Sequence, residues 1–316
     1  MKIAVLGAGA MGSAFGAFLV KAGQDVCLID VRKEHIDSIQ AQGLTLITDG
    51  SPECVSIKAA HDAQEASALL GGTADVILVF VKTTVTETAL AASAALIGAN
   101  TYLVTTQNGL GSEEILARYV PQERVIVGTS AFSASVETAG TVQYVPRPGW
   151  ISHIMPLAGA MNAVCEELAS ALTAGGHPTH ATMDTQITRW KKVAINCVGN
   201  AASALTRLKS DVILSSPDGE AYTRQIVSEV LQVAAAEGVA LRLEDVAPQI
   251  EVAATLPWYP SMGLDSIHHR QTEIGSLNGA IMQLGRKHGI ATPANKVMYH
   301  LVRVLEDHYD QLPEGM

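Results

Sequence analysis

The chain opens MKIAVLGAGAMG, a short apolar run that passes directly into a glycine-rich turn, and the following SAFGAFLVKAG carries a helical pattern. Few openings limit a fold as tightly as strand, glycine turn and helix in that order. Gly7 allows the tight bend, Gly9 lets the backbone approach a pyrophosphate, and Gly12 lets the helix pack closely on the strand. The helix N-terminus then offers free N–H groups to the anion. Lys2 followed by small and apolar residues up to Lys21 also has the outline of a secretory leader. Glycines at 7, 9, 12 and 16, set at turn spacing, do not suit the hydrophobic region of such a leader. A second strand, DVCLID, ends at Asp30, eighteen positions past Gly12, where an acidic side chain can accept hydrogen bonds from an adenosine ribose.

At 316 residues the chain exceeds a single comfortable core, so two domains are expected. Hydrophobic residues make up 48% and charged residues 16%, a balance that suits a soluble, helix-rich enzyme with a large interior. The alanine-rich run from Ala89 to Ala99 is too short to span a membrane. A formal charge of −10 argues against nucleic acid or an anionic membrane surface as partner, so an anionic substrate needs local cations. Cys27, Cys54, Cys165 and Cys197 form no CxxC pair and no metal-type spacing, which points to reduced thiols and a cytoplasmic setting. His268 and His269 stand side by side outside any zinc-type motif, and no metal is expected.

Strand-like runs recur at IAVLG, DVCLID, DVILVFVK and TYLVTTQNG with helical patterns between them, the alternation of a doubly wound parallel sheet. Residues 43–58 alternate apolar and polar around a turn and read as a hairpin-like excursion. Short β-like pieces from 124 to 155 are expected to extend the sheet in the antiparallel sense. Beyond them the pattern is helical: 184–208, 217–238, 269–288 and 293 to about 309, the last with Thr292 as N-cap and Pro293 at the first helical position. The expected fold is therefore an α/β Rossmann-type doubly wound N-terminal domain, residues 1–183, and an all-α C-terminal domain, residues 184–316. A cleft between two such domains is where small-molecule sites collect.

In the helix WKKVAINCVGNAAS, Lys192, Asn196 and Asn200 recur at i, i+4 and i+8 and so share one face. Their neighbours are apolar or small, and a polar stripe on a buried helix must be satisfied by protein groups or by a ligand. Glu273 lies in SMGLDSIHHRQTEIGSLNGAI, a segment read as a helix that also carries Ile274, Leu277 and Ile281. Buried glutamates are rare unless paired, and Lys192 is the natural cross-helix partner. Trp190 reads as packing, and Arg270 as either an anion contact or a surface salt bridge.

The motifs GAGAMG, VKT at 81–83, QNGLG at 107–111, WKKVAINCVGN, SM at 261–262 and RQTEIGSLNG together resemble the ketopantoate reductase (2-dehydropantoate 2-reductase) family over nearly the whole chain. The resemblance implies an oxidoreductase acting on CH–OH with NAD(P) as acceptor. It assigns Lys192 as general acid, Glu273 as partner of the substrate hydroxyl, and Asn196, Asn200 and Ser261 as substrate-binding groups. Lys82, Asn108 and Ala134 correspond to cofactor contacts, together with Gly7, Ala8, Gly9, Ala10, Met11 and Gly12 of the glycine turn.

Members of that family usually prefer NADPH and carry an arginine at the end of the second strand. Here the corresponding position is Val31. Asp30 would repel a 2′-phosphate and favour NADH, whereas Arg32 and Lys33 could bend inward and restore NADPH binding. The implied reaction is reduction of a 2-oxo acid to the (R)-2-hydroxy acid, foremost 2-dehydropantoate to (R)-pantoate in pantothenate biosynthesis. The alternative is an NAD-dependent D-2-hydroxyacid dehydrogenase for bulky or branched substrates such as mandelate. A non-catalytic dinucleotide-sensing regulator is the third reading, and a homodimer is left open.

Overall fold

The computed structural model describes residues 1–146 and 149–312. The chain forms two compact units: Met1–Gln107 with Ser112–Thr185, and Asn108–Gly111 with Gln186–Met316. No helix among the described residues is long and apolar enough to cross a membrane.

Among its described residues the first unit carries twelve strands: β1 Lys2–Leu6, β2 Asp25–Ile29, β3 Leu44–Thr48, β4 Ser51–Val55, β5 Lys58–Ala60, β6 Ala74–Val79, β7 Ile97–Thr105, β8 Val125–Thr129, β9 Ser133–Thr138, β10 Thr141–Val145, β11 Ser152–Pro156 and β12 Thr179–Ala181. Its helices are α1 Ala10–Lys21, α2 Lys33–Gln42, α3 Ala63–Leu70, α4 Thr86–Ala92, α5 Ser112–Leu116 and α6 Ala163–Ala174. The main sheet runs β12-β11-β8-β7-β6-β1-β2-β5. β1 pairs parallel with β2 on one side and β6 on the other, so the strand order reverses there. Alternate residues of the central strands enter two cores. Ile3, Val5, Val26, Leu28, Val76 and Leu78 join one, while Ala4, Leu6, Cys27, Ile29, Ile77 and Val79 join the other. A strand buried on both faces needs such a continuous apolar run, and each large aliphatic side chain so buried contributes roughly 1.5–3 kcal/mol.

The 124–155 segment departs from expectation. β8 and β11 do extend the main sheet, with β11 antiparallel to β8. β9 and β10 instead join the β3–β4 hairpin in a separate sheet of order β4-β3-β10-β9. β10 lies parallel to β3, a long-range pairing that no local pattern could announce.

The second unit is helical among its described residues: α7 Thr185–Thr206, α8 Ser210–Leu214, α9 Pro217–Ala236, α10 Leu243–Ala253, α11 Ser261–Ile267, α12 Asn278–His288 and α13 Pro293–Asp307. Ser216 caps α9 by accepting from the Gly219 N–H, with Pro217 at the first turn. The apolar face of α7, with Trp190, Val193, Ala194, Cys197, Val198 and Ala201, lies in the core of this unit. That burial leaves its polar stripe on the opposite side.

The helix expected over 269–288 is shorter than the apolar pattern implied. His269 has a left-handed φ of 52°, the Arg270 N–H returns to the Asp265 carbonyl, and residues 274–276 form a single 3-10 turn before α12 begins at Asn278. Glu273 therefore sits at the entrance of a turn and not on a helix, a correction to the sequence reading.

Candidate active site

α7 carries Lys192, Asn196 and Asn200, three of the residues the family resemblance implies for the site. Lys192 and Asn196 are half-buried on it and Asn200 is buried. Burial pushes the Lys192 amine down to about 8, and the nearby Glu273 carboxylate opposes that shift by favouring the cation. The pair expected from sequence thus meets electrostatically, although Glu273 arrives from a turn. Among the described residues, the side-chain amides of Asn196 and Asn200 take no hydrogen-bond partner, nor does the exposed Ser261 hydroxyl. Asn196 and Ser261 are accessible to water, whereas Asn200 is a buried position at which a polar side chain calls for a partner.

Ser261 is carried to this face by α11. A Cβ on Gly199 would lie 3.9 Å from Pro260, one on Gly263 would lie 2.2 Å from Ser203 Oγ, and the Ser266 hydroxyl donates to the Ala204 carbonyl at 2.8 Å. The first of these contacts brings Pro260, and with it the start of α11, beside the α7 residue next to Asn200.

The Glu273 turn is fixed from two sides. The Thr272 N–H donates to Glu306 at 2.6 Å, and Ser276 returns both its N–H (3.1 Å) and its hydroxyl (3.0 Å) to the Glu273 carbonyl. Ser276 also receives the QNGLG turn. Its carbonyl accepts the Leu110 N–H at 2.8 Å and its hydroxyl lies 3.3 Å from the Asn108 carbonyl. Gly109 is required there: its φ is 89°, and a Cβ would fall 2.2 Å from the Ser276 oxygen. Asn108 is thereby anchored beside the Glu273 turn, with its own amide uncommitted among the described residues. Sequence reasoning missed Ser276, whose only signal was its place inside the RQTEIGSLNG motif.

In the first unit the glycine turn fits a dinucleotide. Gly7 has φ 93° and presses on the end of β6, where a Cβ would meet Val81 N at 2.8 Å. A Cβ on Gly12 would strike the Gly7 carbonyl at 2.0 Å. Gly9 differs, because nothing lies within 4 Å of a Cβ built on it and no side chain caps the N-terminus of α1. Ala8 is buried in the turn, and Ala10 and Met11 open the helix with N–H groups that have no intrahelical acceptor. These N–H groups form a cradle of donors at the strand-order reversal, the usual position for a pyrophosphate.

Lys82 stands half-buried at the entrance of the 3-10 turn Thr83–Val85, next to the Val81 against which Gly7 packs. Gln107, which opens the QNGLG motif but was assigned no role from sequence, holds this segment: its amide donates to the Val81 carbonyl and, at 2.9 Å, to the Thr86 hydroxyl. Ala134 lies on β9 opposite Tyr144, in the small sheet and half-buried against the first core. Asp30 is not a lone carboxylate. Arg32 grips it through Nε to Oδ1 (3.0 Å) and Nη2 to Oδ2 (3.2 Å), and the same Nη2 reaches the Ala8 carbonyl at 2.9 Å. The charge expected to repel a 2′-phosphate is thus partnered by the charge expected to attract it.

Comparison with known proteins adds the family. Residues 3–152 match the model described as Ketopantoate reductase PanE/ApbA, and residues 184–306 match its C-terminal counterpart. The 2-dehydropantoate 2-reductase of Halobacterium salinarum is 32% identical over 97% of this chain and 99% of its own length. A ternary structure of D-mandelate dehydrogenase with NADH and anilino(oxo)acetate superposes with a TM-score of 0.89 at 29% identity, covering 98% of this chain and 100% of that one. A PanE/ApbA family ketopantoate reductase from Ralstonia eutropha JMP134 superposes at 0.86 with 32% identity, covering 98% of this chain and 100% of that one. Two family models matched in order along one chain, and a full-length relative above 30% identity, place this chain in the ketopantoate reductase family of oxidoreductases.

Proposed function

We propose that this protein reduces 2-dehydropantoate to (R)-pantoate, the step that feeds pantothenate biosynthesis. The observation that carries the reading is the Lys192–Glu273 pair beside the uncommitted amides of Asn196 and Asn200. Reduced nicotinamide, when bound at the glycine turn, supplies a hydride for the carbonyl carbon of a 2-oxo acid. The chain's own residues deal with what remains. Negative charge develops on the carbonyl oxygen, and the Lys192 ammonium donates the proton that turns it into a hydroxyl. Glu273 favours the ammonium before transfer and can accept a hydrogen bond from the new hydroxyl afterwards. The amides of Asn196 and Asn200 and the Ser261 hydroxyl bind the carboxylate and hydroxyl groups without adding charge. Asn108 and Lys82 are assigned to the cofactor, as is Ala134, together with Gly7 to Gly12.

A proton donor with its midpoint at about 8 sets the sign of the pH dependence. The ammonium predominates at neutral pH and is lost as pH rises, so kcat is expected to hold up to neutrality and fall with a midpoint near 8. In Glu273→Gln the carboxylate that raises this midpoint is gone. The alkaline limb is then expected to move to lower pH, as read in a kcat–pH profile. A limb that stays in place would separate it from Lys192.

NADH is the proposed cofactor, with NADPH the alternative. The Arg32 guanidinium is engaged by Asp30 and the Ala8 carbonyl, and a 2′-phosphate would have to displace both contacts while adding charge beside Asp30. Asp30→Ala frees the guanidinium. It is expected to raise the NADPH to NADH ratio of kcat/KM by about tenfold, the equivalent of one charge-assisted hydrogen bond. An unchanged ratio would show that this pair does not govern cofactor choice.

A second reading, an NAD-dependent D-2-hydroxyacid dehydrogenase for bulky or branched substrates, is favoured by the D-mandelate dehydrogenase likeness and by the same acidic residue. Oxidation of both cofactors, followed against 2-dehydropantoate and a panel of branched and aromatic 2-oxo acids, decides between them. The highest kcat/KM with 2-dehydropantoate supports the proposal; the highest with an aromatic acid supports the second reading. No turnover with any member would overturn both.

A further inference from the structure

Apolar packing sets which face of α7 is buried, and directional hydrogen bonds to its backbone add a constraint on its position along its own axis. Two adjacent carbonyls in the middle of this helix carry extra hydrogen bonds from other helices. The Asn278 amide, from the first residue of α12, donates to the Cys197 carbonyl at 3.1 Å, and the Tyr222 hydroxyl of α9 donates to the Val198 carbonyl at 2.7 Å. Both pins fall between Asn196 and Asn200.

The Asn278 pin is itself held from behind. Its second amide hydrogen goes to Asn295 Oδ1 at 3.0 Å, and the Asn295 amide donates to Glu229 Oε2 at 2.7 Å. Glu229 also accepts the Ala294 and Asn295 N–H groups at 2.8 and 2.9 Å, at the N-terminus of α13, where a carboxylate is favoured. Asn278 and Asn295 are both 0% exposed. With both amide hydrogens donated to oxygens, the orientation of the Asn278 side chain is determined.

Asn278 Oδ1 is buried with no hydrogen-bond partner, while both amide hydrogens are donated to buried acceptors, so the side chain's polar capacity is spent on holding two specific partners. The best-attested structural use of a buried polar group is to fix register. Asn278 is also the first helical residue after the turn that carries Glu273, so its bond to Cys197 joins that turn to the helix that carries Lys192. The geometry points to Asn278 and Tyr222 as positioning residues that fix Lys192 against Glu273, with Asn295 and Glu229 anchoring Asn278. This rests on the roles proposed above for Lys192 and Glu273, and it concerns residues to which neither the substrate nor the cofactor is assigned.

The test uses the full chain and two variants, Asn278→Ala and Tyr222→Phe. The second removes only a hydroxyl, so it reports even if the first is poorly folded. One readout is independent of turnover: competitive acetylation of the Lys192 amine across pH, followed by peptide mass spectrometry. Looser registration weakens the support of Glu273 for the cation, so the labelling midpoint is expected to fall by about half a pH unit or more in each variant. In turnover of the best 2-oxo acid, kcat is expected to fall about tenfold with the cofactor KM nearly unchanged, because a sub-ångström misplacement acts on the reacting geometry. A lower thermal midpoint with the Lys192 labelling curve and kcat unmoved would mean that the network is merely structural and would overturn the inference. If the wild type turns over no 2-oxo acid, the functional reading falls, while the labelling curves still decide the positioning role.

Discussion

Lys192→Ala is expected to lower kcat by about a hundredfold or more, with the cofactor dissociation constant nearly unchanged. The size follows from the loss of a positioned proton donor, and the selectivity from its place on α7, in the unit that does not contain the glycine turn. Lys192→Arg sharpens the result. A guanidinium keeps the positive charge but does not release a proton at any working pH, so it restores attraction for an anionic substrate and not proton transfer. The expected pattern is a substrate KM closer to wild type in the arginine variant, with kcat low in both. Turnover retained in Lys192→Ala would remove the general-acid role, and turnover rescued by arginine would reduce Lys192 to an electrostatic anchor.

Gly9→Ala is expected to weaken dinucleotide binding by about 10- to 100-fold, the loss of one or two charge-assisted hydrogen bonds. The fold should be indifferent to it. Gly9 sits at φ −67° and ψ −169°, which any residue adopts, and the added methyl would meet no protein atom within 4 Å. Its only obstacle is whatever occupies the cradle. Gly12→Ala is the contrasting control, since its Cβ would lie 2.0 Å from the Gly7 carbonyl and must disturb the turn with or without cofactor. Calorimetric titration and thermal melting together read the difference. A Gly9→Ala protein that binds NADH as tightly as wild type would show that the pyrophosphate does not lie over this turn.

The glycine turn was legible because its constraints are local: strand, bend and helix occupy consecutive residues, and Gly7 and Gly12 each answer a contact within or beside that stretch. The α7 stripe was legible for the same reason, as helical spacing alone puts Lys192, Asn196 and Asn200 together. The Glu273 turn was not. Its apolar residues Ile274, Leu277 and Ile281 fit a helical period, but the left-handed His269 breaks the run and the 3-10 turn at 274–276 is held by residues 108–110, far away in sequence. α10 was missed because Pro248 inside it reads as a breaker, and α8 and α11 because five and seven residues give too short a period. The pairing of β10 with β3 and the grip of Arg32 on Asp30 depend likewise on tertiary placement. A residue's charge can be read from the sequence, but whether a neighbour has already neutralised it cannot.

The QNGLG segment bears on how chains of this kind could be recombined. Asn108–Gly111 is translated in the middle of the nucleotide half yet belongs physically to the helical half, fastened to Ser276. A chimera assembled by joining two relatives at residue 185 would therefore transplant a helical half without the tetrapeptide it was selected to fit. The two halves have to be inherited as a matched set, with a glycine at 109 and a small side chain at 276 as the points where a mismatch would first be felt.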